Sequence, residues 1–158
     1  MMETRRTKIG VRMGLPLVRE MITDSAIRTE LGEKCQWLGV KERRDKMKQH
    51  HVDKLNRAAW AIADRLARVH IIYSPDRKAV IDQIKEHLRP VKLKYIYSKH
   101  LEKNTAWWTY RTRAPHGNGY CYTFTEEEIF QINIIVGEIA ARLHRIELVA
   151  DSDPEEFA

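Results

Sequence analysis

The chain has 158 residues, of which 43% are hydrophobic and 32% are charged, a composition that excludes an intrinsically disordered or membrane-embedded protein. Lysine and arginine outnumber the acids by 28 to 22, and the net charge of +6 predicts a surface that attracts anions such as nucleic-acid phosphates. The two cysteines are too few for a disulfide framework and form no cluster at metal-binding spacing.

The N-terminal residues are basic, and no apolar stretch of the kind found in secretion signals follows them. No run of about 18 apolar residues occurs anywhere, which predicts a cytoplasmic protein with no membrane partner. In the first part of the chain, Pro16 and Asp24 predict breaks, with a helix from about Ser25 to Leu31.

Two segments share one pattern of apolar residues. Each apolar residue of the second segment lies the same number of positions after its counterpart in the first, and this constant offset is the one from Val52 to Ile129. Both patterns have the 3,4 spacing of an amphipathic helix face. Polar identities such as Asn56 with Asn133 recur at the same offset, so the sequence predicts an internal duplication. The two stripes are Val52, Leu55, Ala59, Ile62, Leu66 and Val69, and Ile129, Ile132, Val136, Ile139, Leu143 and Ile146.

Further upstream the likeness continues at a slightly smaller offset, with Leu31 against Leu101, so residues 114–119 are predicted to be a loop inserted in the second copy. Residues 71–73 are interpreted as the linker between copies. Ser74 and Pro75 predict the N-cap and first residue of a helix that ends near Leu88. Thr125 and Glu128 have the spacing of a capping box before the last long helix.

The second copy contains a predicted helix-turn-helix: a short helix from Leu93 to Leu101, a polar break at residues 102–104, and a second helix from Thr105 to Arg113. The N-terminal part of such a second helix reads base edges in the major groove. Lysines suit phosphates, arginines suit guanine or phosphate, and Asn104 or Thr105 suits bases or the helix cap. The predicted contacts are Lys99, Lys103, Asn104, Thr105, Thr109, Arg111 and Arg113.

Two adjacent tryptophans occupy this second helix. We expect Trp108 to anchor it to the core and Trp107 to lie at the edge of the core, because neighbouring helical residues point about 100° apart.

The first copy has a degenerate form of the same motif, with Gly32 at the turn and Gly39 weakening the helix that should follow. A basic stretch in this copy either binds phosphates or forms a solvated loop. Its candidate contacts are Lys34, Lys41, Arg43 and Arg44.

Residues 95–111, followed by a loop and by residues 124–129, resemble a family of small uncharacterised bacterial helix-turn-helix proteins associated with mobile elements. In that family a Tyr-Ile precedes the turn, and Phe-Thr-x-Glu-Glu precedes the last helix. This sequence departs from the family at Glu102, where Gly is usual, and at Trp108, where Leu is usual. The resemblance implies the fold and DNA binding, and it implies no enzymatic activity.

Together these patterns predict an all-α protein of two tandem helix-turn-helix-containing units, each ending in a long amphipathic helix, packed as a pseudo-twofold pair. Unit one covers 1–72 and unit two covers 73–150. The acidic tail 151–158 is either a solvated end, which we favour, or a weak competitor for the basic surface. We expect double-stranded DNA as the partner, bound by a monomer with internal pseudo-symmetry or by a homodimer. The expected role is that of a regulator or accessory factor of a phage or mobile element.

No nucleophile and base set, phosphate-binding loop or metal helix is present, so neither an enzyme nor a cofactor is expected. The alternative is a protein-interaction or structural module that uses exposed tryptophans with Tyr120, Tyr122 and Phe124, because fold alone does not fix function. RNA binding through the basic, aromatic loop is a third hypothesis.

Overall fold

The computed structural model of the chain describes residues 5–32, 47–113 and 122–151. Within these ranges the chain forms seven helices and one two-stranded parallel sheet. The expectation of a mostly helical protein is confirmed, but the prediction of an all-α chain is wrong because it omits the sheet. Several predicted features lie outside the described residues: Lys34, Lys41, Arg43, Arg44, the loop at 114–119 and the tail after Asp151.

The first part of the chain contains β1 (Thr7–Gly10), α1 (Val11–Met21), α2 (Asp24–Leu31) and α3 (Gln49–Ala67). The break predicted at Pro16 is wrong, because α1 continues through this residue and leaves it exposed. The helix persists because its apolar face packs into the core at Val11, Leu15, Val18 and Met21. Thr23 caps α2 by accepting a hydrogen bond from the Ala26 amide.

The second part contains α4 (Arg77–His87), α5 (Tyr95–His100), α6 (Thr105–Thr112), α7 (Glu126–Arg145) and β2 (Ile146–Val149). Of these, α5 is wound as a π-helix. The N-cap of α4 is Asp76 rather than the predicted Ser74, because the Asp76 carboxylate accepts from the Lys78 amide. The Ser74 hydroxyl instead accepts from the Asp76 amide and forms the turn before the cap.

The core is built around α3 and α7, which pack against each other along their length. Ten of the twelve predicted stripe residues are buried within these helices, and Ile146 is buried as the first residue of β2. The capping box at Thr125 and Glu128 is also confirmed, with both of its hydrogen bonds present.

The sheet joins distant parts of the chain, because β1 pairs with β2 in parallel, from Thr7 opposite Ile146 to Gly10 opposite Val149. Just beyond β2, Asp151 accepts a hydrogen bond of 2.9 Å from the Arg12 amide in the first turn of α1. A carboxylate at a helix N-terminus is electrostatically favourable. Asp151, the first residue of the acidic tail, is thus bonded to α1 while its side chain stays exposed.

Two asparagine side chains each hold both backbone groups of a distant residue. Asn56 on α3 donates to the Leu148 carbonyl at 2.8 Å and accepts from the Leu148 amide at 2.7 Å. Asn133 on α7 does the same with Ile71, at 2.9 Å and 2.7 Å. The segment interpreted as a linker is consequently fixed to α7 at Ile71, whose side chain is buried.

Candidate nucleic-acid interface

Residues 93–113, which we call the helix-turn-helix segment, contain α5, a short turn and α6. The turn closes when Glu102 adopts a left-handed conformation with φ of 56° and the Lys103 amide donates to the Tyr97 carbonyl at 2.7 Å. Asn104 then caps α6 by accepting from the Trp107 amide at 2.9 Å. The predicted polar break is confirmed, and of the two predicted caps, Asn104 and Thr105, the structure has Asn104.

A cluster of aromatic rings fixes α6 to the body of the protein. Trp108 is 6% exposed, and its ring lies 5.5 Å from the rings of both Tyr97 and Phe124. Trp107 is half-buried and packs on Phe124 at 5.9 Å. The expected anchoring role of Trp108 and the edge position of Trp107 are confirmed, and aromatic pairs at these distances are attractive.

The side chain of Arg111 points toward α7 and is only 17% exposed. Its guanidinium lies 4.1 Å from the Trp107 ring centre, and its Nε lies 3.6 Å from a Glu128 carboxylate oxygen. That Nε is buried without a hydrogen-bond partner among the described residues. Arg113 is exposed, so the two arginines predicted to bind guanine or phosphate are not presented together.

The two predicted lysines differ in their surroundings. Lys99 forms an ion pair with Glu20 on α1, and its ammonium lies 5.2 Å from the centre of the Tyr95 ring. The hydrogen bond and charge of Lys99 lower the pKa of Glu20. Lys103 is exposed in the turn, with its ammonium 5.9 Å from the Trp107 ring centre.

A cleft of about 390 Å³ opens between α4, α5 and α6, and we call it the basic cleft. Three of its lining side chains are cationic and none is a carboxylate. The predicted contacts Thr105, Thr109 and Arg113 line it, and the Thr105 hydroxyl lies 3.2 Å from the Tyr97 hydroxyl. The polar lining residues are Lys85, Lys94, Tyr97, Thr105, Thr109, Thr112 and Arg113.

Sequence reasoning missed Lys85, Lys94 and Thr112 in this cleft. Lys94 lies inside the predicted first helix, from Leu93 to Leu101, and a list of every cation in the predicted motif would have included it. Lys85 is on α4, and no local pattern indicates that α4 packs beside the helix-turn-helix segment.

The outward side of α6 carries Ala106 and Tyr110, both of which are exposed. The Tyr110 ring is 48% exposed and lies 5.4 Å from the ring of Tyr122, which is 51% exposed. Arg77 on α4 donates to the Tyr122 carbonyl at 3.0 Å and also contacts the Arg113 carbonyl. These bonds attach the C-terminal end of α6 to α4.

Comparisons of the chain with family models, with curated proteins and with solved structures give no match. The resemblance to helix-turn-helix proteins of mobile elements therefore stays a prediction. In the ranges 5–32, 47–113 and 122–151, no three His, Cys, Asp or Glu side chains are grouped so that they could hold a metal ion. No helix in the same ranges has the length and apolarity needed to cross a bilayer.

Proposed function

We propose that this chain binds double-stranded DNA through the helix-turn-helix segment, with α6 directed at the major groove, and that it acts as a cytoplasmic binding protein rather than an enzyme. One observation carries the proposal: α6 has a single buried residue, Trp108, and its Thr105, Thr109 and Thr112 line a cleft that has three cations and no carboxylate among its lining residues. A short, exposed helix flanked by cations has the form and charge of a groove-reading element.

The roles of the predicted contacts follow from their surroundings. Lys103 and Arg113 are exposed and suit backbone phosphates. Thr105 and Thr109 are the polar residues of α6 nearest its N-terminus and, because they line the basic cleft, suit sugar or phosphate oxygens. Arg111 is enclosed by Trp107 and Glu128, so we assign it to positioning α6 rather than to contacting DNA.

We further propose that the two units form a pseudo-twofold pair. The asparagine contacts support this. Asn56 binds Leu148, and Asn133 binds Ile71. The two asparagines are separated by the same number of residues as their two partners. A reciprocal bond therefore runs from each long helix to the segment after the other. A repeated helical unit in one chain would resemble the two halves of a dimer.

Backbone bonds at the centre give the same support. The Thr23 amide donates to the Pro90 carbonyl at 2.9 Å, and the Lys92 amide donates to the Met21 carbonyl at 2.9 Å. These two bonds form an antiparallel bridge between Ile22 and Val91. The offset from Ile22 to Val91 is one residue smaller than the offset from Leu31 to Leu101, so the bridge joins positions that correspond in the proposed alignment, as residues beside a twofold axis would.

A binding titration tests DNA binding. The wild type is compared with Lys103→Ala plus Arg113→Ala on random and genomic duplexes at about 50 and 200 mM salt, with Lys8→Ala plus Arg57→Ala as a control of equal charge. Loss of two phosphate contacts should make the plot of log affinity against log salt shallower by about 1.8 in the first variant only. Absence of wild-type binding at the lower salt would reject the proposal.

The alternative is a protein-interaction module. It is favoured by exposed aromatic and aliphatic side chains: the Tyr110 and Tyr122 pair, and on α7 Phe130 and Ile134, which are 64% and 46% exposed one helical turn apart. Two results together would favour this alternative. The wild type would bind no DNA but would co-purify with another protein, and the variant Phe130→Ser plus Ile134→Ser would no longer co-purify with it.

A further inference from the structure

We infer that the basic cleft holds one phosphate group of the DNA backbone, and this inference rests on the proposed DNA binding. The side chains of Lys85, Lys94 and Arg113 have no hydrogen-bond or ion-pair partner in the part of the chain that the structure describes. Three uncompensated cations around one concavity repel each other. An anion placed between them relieves that repulsion.

The lining of the cleft suits a phosphate in particular. Thr105 and Thr109 add two hydroxyl groups that can donate hydrogen bonds to phosphate oxygens, whereas the Thr112 hydroxyl already donates to the Trp108 carbonyl at 2.9 Å. The volume of about 390 Å³ admits a phosphate with its water, whereas the Trp108 and Leu93 walls offer nothing that would bind a second charged group.

Other clefts in the described residues lack this selectivity for anions. The cleft of about 350 Å³ beside Lys92 and Lys99 includes Glu20. The cleft of about 850 Å³ beside Arg68 and Arg89 includes Glu86. A carboxylate in the lining both neutralises a cation and repels an incoming phosphate.

The counterpart positions in unit one are electrostatically different. At the offset that pairs Ile22 with Val91, Lys85 corresponds to Pro16 and Lys94 to Ser25. Unit one therefore has no cation at either position, which restricts the phosphate site to unit two.

The test compares the wild type with Lys85→Ala plus Lys94→Ser, which gives the cleft the small residue of unit one at position 94. The control Lys8→Ala plus Arg57→Ala removes the same charge elsewhere on the surface. Two readouts are used: the salt dependence of DNA affinity, and NMR shifts of the Trp108 indole N–H on titration with inorganic pyrophosphate. Folding of each variant is checked from the same spectra.

In the cleft variant alone, we expect the slope of log affinity against log salt to become shallower by about 0.9. Pyrophosphate should shift the Trp108 indole signal in the wild type and not in the cleft variant. DNA binding with an unchanged slope in the cleft variant would overturn the inference and leave the proposed function standing. An equal change in the control variant would also overturn it, because the loss would then be nonspecific. If the protein binds pyrophosphate but no DNA, the cleft does not hold a DNA phosphate. That result would overturn the inference and reject the proposed function as well.

Discussion

Gly32 and Glu102 share a left-handed backbone conformation, with φ of 68° and 56°, and each lies just after a short helix, α2 or α5. Glycine adopts this conformation without steric cost, whereas a residue with a Cβ loses about 1–2 kcal/mol. The turn of the helix-turn-helix segment therefore contains backbone strain at Glu102, and the turn after α2 avoids this strain because it has Gly32.

Replacing Glu102 with glycine should relieve this strain. We expect Glu102→Gly to raise the free energy of unfolding by about 0.5–1 kcal/mol, after the greater flexibility of glycine in the unfolded chain is subtracted. Urea unfolding measures the change. The neighbouring Lys103 has no left-handed φ, so Lys103→Gly is the control and should be destabilising. Destabilisation by both changes would contradict the assigned strain.

The asparagine contacts should contribute unequally to stability. Asn56 is 4% exposed and its bonds to Leu148 are buried, so Asn56→Leu should lower the free energy of unfolding by about 2–4 kcal/mol, because two backbone groups lose their partners. The bonds of Asn133 to Ile71 are only partly buried, and Asn133→Leu should cost less. Equal losses measured by thermal unfolding would show that burial does not set the difference.

Two helical glycines should respond to alanine in opposite directions. A Cβ on Gly14 of α1 would lie 2.4 Å from the Leu148 Cδ2 atom, so Gly14→Ala should destabilise the protein by about 1–3 kcal/mol through overpacking. A Cβ on Gly137 of α7 would meet nothing within 4 Å, and Gly137→Ala should stabilise by up to about 1 kcal/mol. Differential scanning calorimetry on both variants checks the pair, and stabilisation at Gly14 would contradict the close packing of α1 on β2.

The ion pair between Glu20 and Lys99 should produce a small pH dependence. Because Lys99 lowers the pKa of Glu20, the pair stabilises the fold above the usual carboxyl pKa, and this contribution is lost as the pH falls through the lowered value. Both side chains are more than a third exposed, so the effect is well under about 1 kcal/mol. The wild type should melt slightly above Glu20→Gln at neutral pH, and the two should converge in acid. A constant difference would point to another cause.

Much of the helical architecture is predictable because its signals are local. The apolar stripes of α3 and α7, the capping box at Thr125 and the cap at Asn104 each depend on residues within one or two helical turns. The anchoring of α6 by Trp108 follows from the same periodicity.

The remaining features depend on contacts between distant parts of the chain. The strands β1 and β2 are short and lie near opposite ends of the sequence, so only their tertiary pairing identifies them. The environment of Arg111 is set by Glu128, and the place of Lys85 in the basic cleft is set by the packing of α4. No sequence pattern around Arg111 or Lys85 indicates which distant residue or helix each of them contacts.

Under the duplication proposed above, the π-helical winding of α5 bears on how the two copies diverged. The stretch from Val91 to Glu102 is one residue longer than the corresponding stretch from Ile22 to Gly32. An added residue in an ordinary α-helix would turn everything after it by about 100°. The wide winding of α5 absorbs that rotation locally, so that a length change in the ancestral gene need not have reoriented the segment that follows.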